Sequence, residues 1–279
     1  MRRHKNKLLP ASLLSVVGLG LYLVCSGNVT QLFRQQETGQ AEMTTAGTVS
    51  ESITTPLMAA PIPGEKILKR EGYTVSYNTT EKQPNYVTWT LTPARTNGEA
   101  QRCKTFFQDP ELTDDERSTL DDYRSSGYDR GHMCPAGDNK WSQTAMIESF
   151  YLSNICPQKH TLNGGDWRVL EEACRKWTCN RNENIHIVCG PIFSPDQRKR
   201  INKRVRIPSH FFKALLCTDK GKEKGIGFIF KNDTSDQPLE QQTCTIDHIE
   251  ELTGYDLFAT LNKTLQQKLE SQSSLQDWE

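Results

Sequence analysis

The stretch Tyr128-Asp129-Arg130-Gly131-His132-Met133-Cys134-Pro135-Ala136 sets an acid, a guanidinium, a glycine and an imidazole in four consecutive positions. In an extended segment, residues two apart share a face, so Arg130 and His132 point the same way. That places a permanent cation beside a group titrating near neutral pH, which suits holding a phosphate next to a general base. Gly131 permits close approach of a backbone or a ligand. A surface turn with an incidental histidine is the alternative for any lone Arg-Gly-His triplet, and the blocks downstream weigh against it.

The elements around this stretch are short and mixed. Val87, Trp89 and Leu91 alternate with Thr88, Thr90 and Thr92, a strand period built from strand formers, and ordered structure is expected from about Tyr73. Pro110 to Asp122 is acidic without metal-ligand spacing and reads as a solvated face. Phe150 to Gln158 reads as a short strand ending at Pro157. Leu162-Asn163-Gly164-Gly165 is a turn before a helix that Asp166 opens, with Trp167, Leu170, Cys174 and Trp177 at helical spacing. Asn163 and Glu171 lie about two turns apart, broadly on one side if the helix starts at the turn. Ile185 to Val188 is a core strand stopped by Gly190-Pro191, and Phe211–Leu216 and Ile226–Phe230 are further apolar runs. Thr245 to Leu252 is a helix closed by Gly254, and Leu257, Leu261, Leu265 and Leu269 mark an amphipathic C-terminal helix. Strands and helices alternate irregularly, which is the α+β class with a largely antiparallel sheet flanked by helices.

The chain has 279 residues with a formal net charge of +0, so only a local basic patch could mark a nucleic-acid partner. Arg198, Lys199, Arg200, Lys203, Arg204 and Arg206 form the dense basic cluster, either a backbone-tracking surface or a solvated loop. Arg2, Arg3, Lys5 and Lys7 precede an uncharged apolar run from Leu8 to Cys25. Residues 1–27 are therefore expected to be a signal anchor, ahead of a cleaved signal peptide and then a lipid anchor at Cys25. The basic flank leaves the remainder outside: exported, periplasmic or extracellular, held to a membrane by the N-terminal segment or secreted. Residues 28–64, rich in Thr, Gln, Ser, Ala and Gly, read as a flexible linker. Residues 65–270 form the folded domain and 271–279 a C-terminal tail. The eight cysteines after Cys25 are an even number in an exported domain and fit disulfides of unassigned connectivity.

Taken together, the blocks resemble the DNA/RNA non-specific endonucleases, the ββα-metal or His-Me finger nucleases. Asp129-Arg130-Gly131-His132 matches their signature tetrapeptide, and Asn154-Ile155-Cys156-Pro157-Gln158 looks like their Asn-Ile-x-Pro-Gln segment. Leu162 to Trp167 followed by Leu170-Glu171 is similar to their metal-binding helix start. Ile207-Pro208-Ser209 with Phe212-Lys213, and Ile246 to Gly254, look like the family's later strands and helix. The resemblance runs from about Gly64 to Leu269 and implies the ββα-metal fold and cleavage of DNA and RNA to 5′-phosphate ends. It makes His132 the general base, Asn163 the direct ligand of Mg²⁺ (or Mn²⁺), and Glu171 a carboxylate supporting the ion's water shell. Arg130 would clamp the phosphate and Asn154 orient the site. Arg102 stands for a second family arginine, although its spacing to Asp109-Pro110 departs from the pattern and a plain surface arginine is the alternative. Asp129 would shape the strand, with His160, His186, His210 and His248 structural or superficial. The cysteines depart from many relatives, and a Cys134–Cys156 bridge would staple the two site strands. A homodimer is left open.

Three rival readings remain. A zinc deaminase needs a glutamate where Cys134 stands and a Pro-Cys-x-x-Cys block, and neither is present. A catalytically inactive nucleic-acid-binding relative is disfavoured by intact Arg130, His132, Asn163 and Glu171. A disulfide-rich surface domain leaves the Asp-Arg-Gly-His block unexplained.

Overall fold

In the computed structural model the described residues are 57–233 and 237–279. The N-terminal anchor and the linker up to residue 56 lie outside them. Seven strands form an antiparallel sheet: β1 (Lys66–Lys69), β2 (Thr74–Asn78), β3 (Gln83–Leu91), β6 (Ile185–Ile192), β9 (His210–Cys217), β10 (Lys224–Lys231) and β11 (Thr243–Cys244), side by side in that order. Two small ladders stand apart, β4 (Asp129–His132) with β5 (Ile155–Gln158), and β7 (Arg200–Ile201) with β8 (Val205–Arg206). The helices that matter are α1 (Gln143–Ser149), α2 (Asp166–Arg181), α3 (Ile246–Thr253) and α4 (Lys263–Glu270).

The sheet is covered on both faces, and β9 shows how. Phe211, Leu215 and Cys217 belong to the cluster containing Trp167, Leu170 and Trp177 of α2. The alternate residues Phe212, Ala214 and Leu216 pack with Ile246 and Ile249 of α3 and Leu269 of α4. A strand with two buried faces has no polar side to alternate with, so Phe211–Leu216 reads as one apolar run. The threonines of β3 are buried too: Thr88 donates to the Leu57 carbonyl at 2.8 Å, and Thr90 shares a 3.0 Å hydrogen bond with His186 Nδ1.

Four expectations change at the element scale. Leu57 and Ala59 are buried and the Ala60 amide donates to Asp256 O, so the end of the expected linker is part of the core. Ordered strands begin at Lys66, before Tyr73. Gly190-Pro191 does not stop β6, because the β3 ladder ends at Val87–Cys189 and Pro191, paired only to Phe211 of β9, loses no hydrogen bond on its other side. Residues 271–279 are no loose tail: Trp278 is fully buried, 5.7 Å from the ring of Trp177, with the Lys224 ammonium 4.8 Å from its own ring.

The chain between β3 and β6 leaves the sheet, forms β4, α1 and β5, and returns through α2. That excursion, two strands and two helices, carries the residues singled out for chemistry.

Candidate active site

The β4–β5 register pairs Arg130 with Pro157, Gly131 with Cys156 and His132 with Ile155. Arg130 and His132 project into the same cleft, as the two-residue period requires. Gly131 is required by packing, since a Cβ there would lie 2.0 Å from Gln158 Oε1. Asn154 is buried beyond the cleft: it accepts from Cys134 N at 2.9 Å and donates to Cys134 O and Ser149 O at 2.8 and 2.9 Å. It does not line the cleft, so its place among the catalytic residues is corrected to a clamp at the end of β4.

His132 is 9% exposed and packed against Phe106 and Phe150, ring centroids 5.3 and 4.9 Å away. The Trp167 indole donates to its carbonyl at 3.2 Å, fixing the strand end against α2. Burial, and then the neighbouring Arg102 cation, lower the imidazole pKa to about 3. The ring is therefore neutral at neutral pH, and its buried Nε2 has no hydrogen-bond partner in the protein. A neutral imidazole with one free nitrogen is competent to accept a proton.

Asn163 ends a single helical turn, His160–Asn163, just before α2. Its Nδ2 donates to Asp129 Oδ2 at 3.0 Å, and the same oxygen meets His160 Nδ1 at 2.8 Å. With the NH₂ group committed, the network assigns Oδ1 as the amide's remaining acceptor, a hard neutral donor of the kind Mg²⁺ takes. Asp129 thus does more than shape the strand, and His160, read as structural or superficial, is exposed and joins the same triad. Neither link has a sequence signal, because Asp129 and Asn163 lie on separate elements.

Glu171, half-buried on the cleft wall, is pushed to about 7 by burial, against the pull of Lys213. Lys213 of β9 is 1% exposed, its ammonium 4.3 Å from the Trp167 ring and 5.1 Å from Trp89. Burial opposes its charge, yet the acidic groups facing it (Cys189, Glu171, Cys174 and Asp138) outweigh that and raise its pKa. Burial pushes both thiols to about 12, so the carboxylates of Glu171 and Asp138 carry that effect. Asp138 is itself held by Trp89 Nε1 at 3.1 Å and Arg175 Nη1 at 2.9 Å. The sequence reading named Lys213 only as part of a late strand and missed this position under the site.

The cleft holds about 640 Å³ and is lined by Arg102, Arg130, Arg168 and Arg175 as well as by His132, Asn163 and Glu171. Arg168 pairs with Glu172 at 2.6 Å and Arg175 with Asp138 at 2.9 Å. Arg102 and Arg130 are exposed and lie over the rings of Phe150 and Phe106, at 5.1 and 4.9 Å, facing the cleft. Within the 198–206 cluster, Arg200 and Arg206 pair with Glu81 and Arg204 with Asp122, while Arg198, Lys199 and Lys203 are exposed. Those partners show that part of the acidic Pro110–Asp122 segment is structural, since Asp122 is buried.

Cys134 and Cys156 are buried free thiols, as are Cys174, Cys189 and Cys217, so the expected bridge between the two site strands is not formed. These five pack as small apolar side chains in the core.

The sequence model of the DNA/RNA non-specific endonucleases matches residues 54–264. The mitochondrial nuclease EXOG of Xenopus laevis is 34% identical over 220 residues, covering 73% of this chain and 61% of that protein. The mitochondrial endonuclease G of Homo sapiens is 34% identical over 208 residues, with 69% and 70% covered. A solved EndoG/EndoGI complex superposes with a TM-score of 0.67 at 28% identity, covering 73% of this chain and 90% of that one. The chain spans about three fifths of the length of the EXOG relatives from Xenopus laevis and Mus musculus. These relatives, and the mitochondrial nucleases of two yeasts, overturn the exported localisation. The physical reason is that a basic N-terminus with no Asp or Glu before Glu37 is common to export signals and mitochondrial targeting segments.

Proposed function

Because this chain belongs to the DNA/RNA non-specific endonuclease family, we propose that it is a metal-dependent endonuclease hydrolysing phosphodiester bonds of DNA and RNA with little sequence preference. The observation that carries the reading is the convergence of three functions in one cleft: a base, a cation-ready amide and two arginines without carboxylate partners in the cleft. The neutral His132 imidazole takes a proton from the attacking water. Arg130 and Arg102 face the scissile phosphate and offset the charge that grows on its oxygens. Phosphorus–oxygen cleavage on the 3′ side releases a 3′-hydroxyl, protonated from solvent, and leaves a 5′-phosphate.

The donor set fits a hard divalent cation such as Mg²⁺, with Mn²⁺ as its substitute. Asn163 Oδ1 would hold it, and Glu171 would support its water shell, while Asp129 and His160 keep the amide oxygen turned outward. When bound, the cation neutralises charge on the phosphate and on the departing oxygen. The relatives' mitochondrial names support the same compartment for this chain.

Nicking of supercoiled plasmid by the purified full chain, with and without EDTA and beside a labelled RNA, tests the reading. His132→Ala is expected to lower turnover about 10²–10⁴-fold at saturating Mg²⁺. Wild-type cleavage no greater than that of His132→Ala would overturn it.

A further inference from the structure

Away from the cleft, α3 and α4 bring together Asp247, Glu250 and Glu270, with one ligand oxygen from each lying within 4.8 Å of the others. Asp247 is exposed, Glu250 half-buried and Glu270 only 3% exposed. Two features set this cluster apart from a solvated acidic face. Glu270 Oε1 is shut off from solvent and has no hydrogen-bond partner. None of the three carboxylates forms an ion pair among the described residues; Lys263, the cation that acts on Glu250, is bonded to Asp256 at 3.4 Å.

Gln266, the side chain that hydrogen-bonds Glu270, is shared with other acceptors. Gln266 Nε2 donates to Asp256 Oδ1 at 2.7 Å and to Leu257 O at 2.9 Å, and the Leu257 amide donates to Glu250 Oε1. The backbone holds the cluster rigidly. The end of α4 sits on the sheet at Gly225, where a Cβ would lie 2.2 Å from Leu269 O, and α3 ends in a left-handed Gly254 at φ +73°. Neither helix can draw back to relieve the repulsion. A buried, unpaired carboxylate is costly unless it is neutralised by a proton or by a cation.

We propose that Asp247, Glu250 and Glu270 form a second divalent-cation site, which locks α4 to α3 on the face of the sheet opposite the catalytic cleft. The chemistry is that of a hard ion with an all-carboxylate protein set, water completing the shell through the exposed Asp247 side. Two ligands of one ion stand at most twice the bond length apart, about 4.8 Å for Ca²⁺, and one oxygen from each carboxylate meets that limit. Burial, followed for Glu270 by Glu250 itself and for Glu250 by the nearby Asp256 and Asp247, pushes Glu250 to about 7 and Glu270 to about 8. Protons are thus the natural competitors, and the ion binds more tightly as pH rises. The matched family region ends at residue 264, ahead of Glu270.

The test uses full-chain protein carrying Asn163→Ala, which removes the catalytic ligand and leaves this site alone, freed of metal with EDTA and then dialysed. Adding Ca²⁺ should raise the thermal midpoint by roughly 5 °C at about a hundred times the dissociation constant. Glu270→Gln on the same background should abolish the Ca²⁺ shift. Asp247→Asn, at an exposed position that folding tolerates, should demand at least about tenfold more Ca²⁺ for the same shift. The proposal is overturned if the Asn163→Ala protein shows no Ca²⁺-dependent shift. It is equally overturned if Asp247→Asn leaves the titration unchanged, which would mark the cluster as one that shares protons only.

Discussion

Glu171 and Lys213 tie the acidity of the cleft wall to the sheet beneath it. Burial raises Glu171 to about 7, and the Lys213 ammonium is the strongest of the cations that hold it down. A raised carboxyl pKa means that the carboxylate is lost as pH falls through that value, so the Mg²⁺ needed for half-maximal cleavage should climb as pH drops through about 7. Lys213→Met removes the opposing cation, and the climb should begin about one pH unit higher. Glu171→Gln should flatten it. Measuring half-saturating Mg²⁺ against pH for the three proteins decides the matter; a Lys213→Met curve lying on the wild-type one would rule out this coupling. At the same scale, Arg130 and Arg102 are the cleft cations stacked on rings, whereas Arg200, Arg204 and Arg206 are held by Glu81 and Asp122. Arg130→Ala should therefore lower the slope of log affinity against log salt by about one on a non-cleavable duplex, and Arg204→Ala should leave it unchanged. Equal slopes for both variants would show that phosphate is tracked elsewhere.

The helix and the small ladder place the cleft because each is pinned at one end. Asn154 closes the far end of β4 with three hydrogen bonds to backbone groups of Cys134 and Ser149, and Trp167 ties His132 to α2. Asn154→Ala strands those buried groups, at a cost of about 1–3 kcal/mol. A lowered thermal midpoint should accompany lost turnover, while substrate affinity carried by the arginines persists. An Asn154→Ala protein with wild-type stability would refute the clamp. Much of this scale was readable in the chain. The helix from Asp166, the strand at Asp129 and the Gly254 stop all stand where spacing and turn chemistry put them. The reach of β6 through Gly190-Pro191 was not readable, since a proline is tolerated wherever its neighbour strand has already ended, and that depends on register.

For the whole molecule, the ends of the domain are structural. Trp278 lies at the floor of the layer formed by Trp177 and Phe228, and Leu57 covers Thr88 on the opposite face. Trp278→Ala should cost about 3–5 kcal/mol, read by denaturant or thermal unfolding. A change within about 0.5 kcal/mol would return residues 271–279 to the status of a tail.

The amino-acid sequence put forward the candidate chemistry: an arginine beside a histidine from their spacing and, through the family resemblance, an amide ligand and a supporting acid, in blocks whose order and spacing identify the family. Those are local properties, carried by residue type and by the periods of strand and helix. Only the tertiary structure decided which charges are free. It turned Arg200, Arg204 and Arg206 into ion pairs, five of the eight later cysteines into core thiols, and Asp129 with His160 into the hold on Asn163. Pairing, burial and solvent exclusion arise between segments far apart in the chain, and no local spacing encodes them.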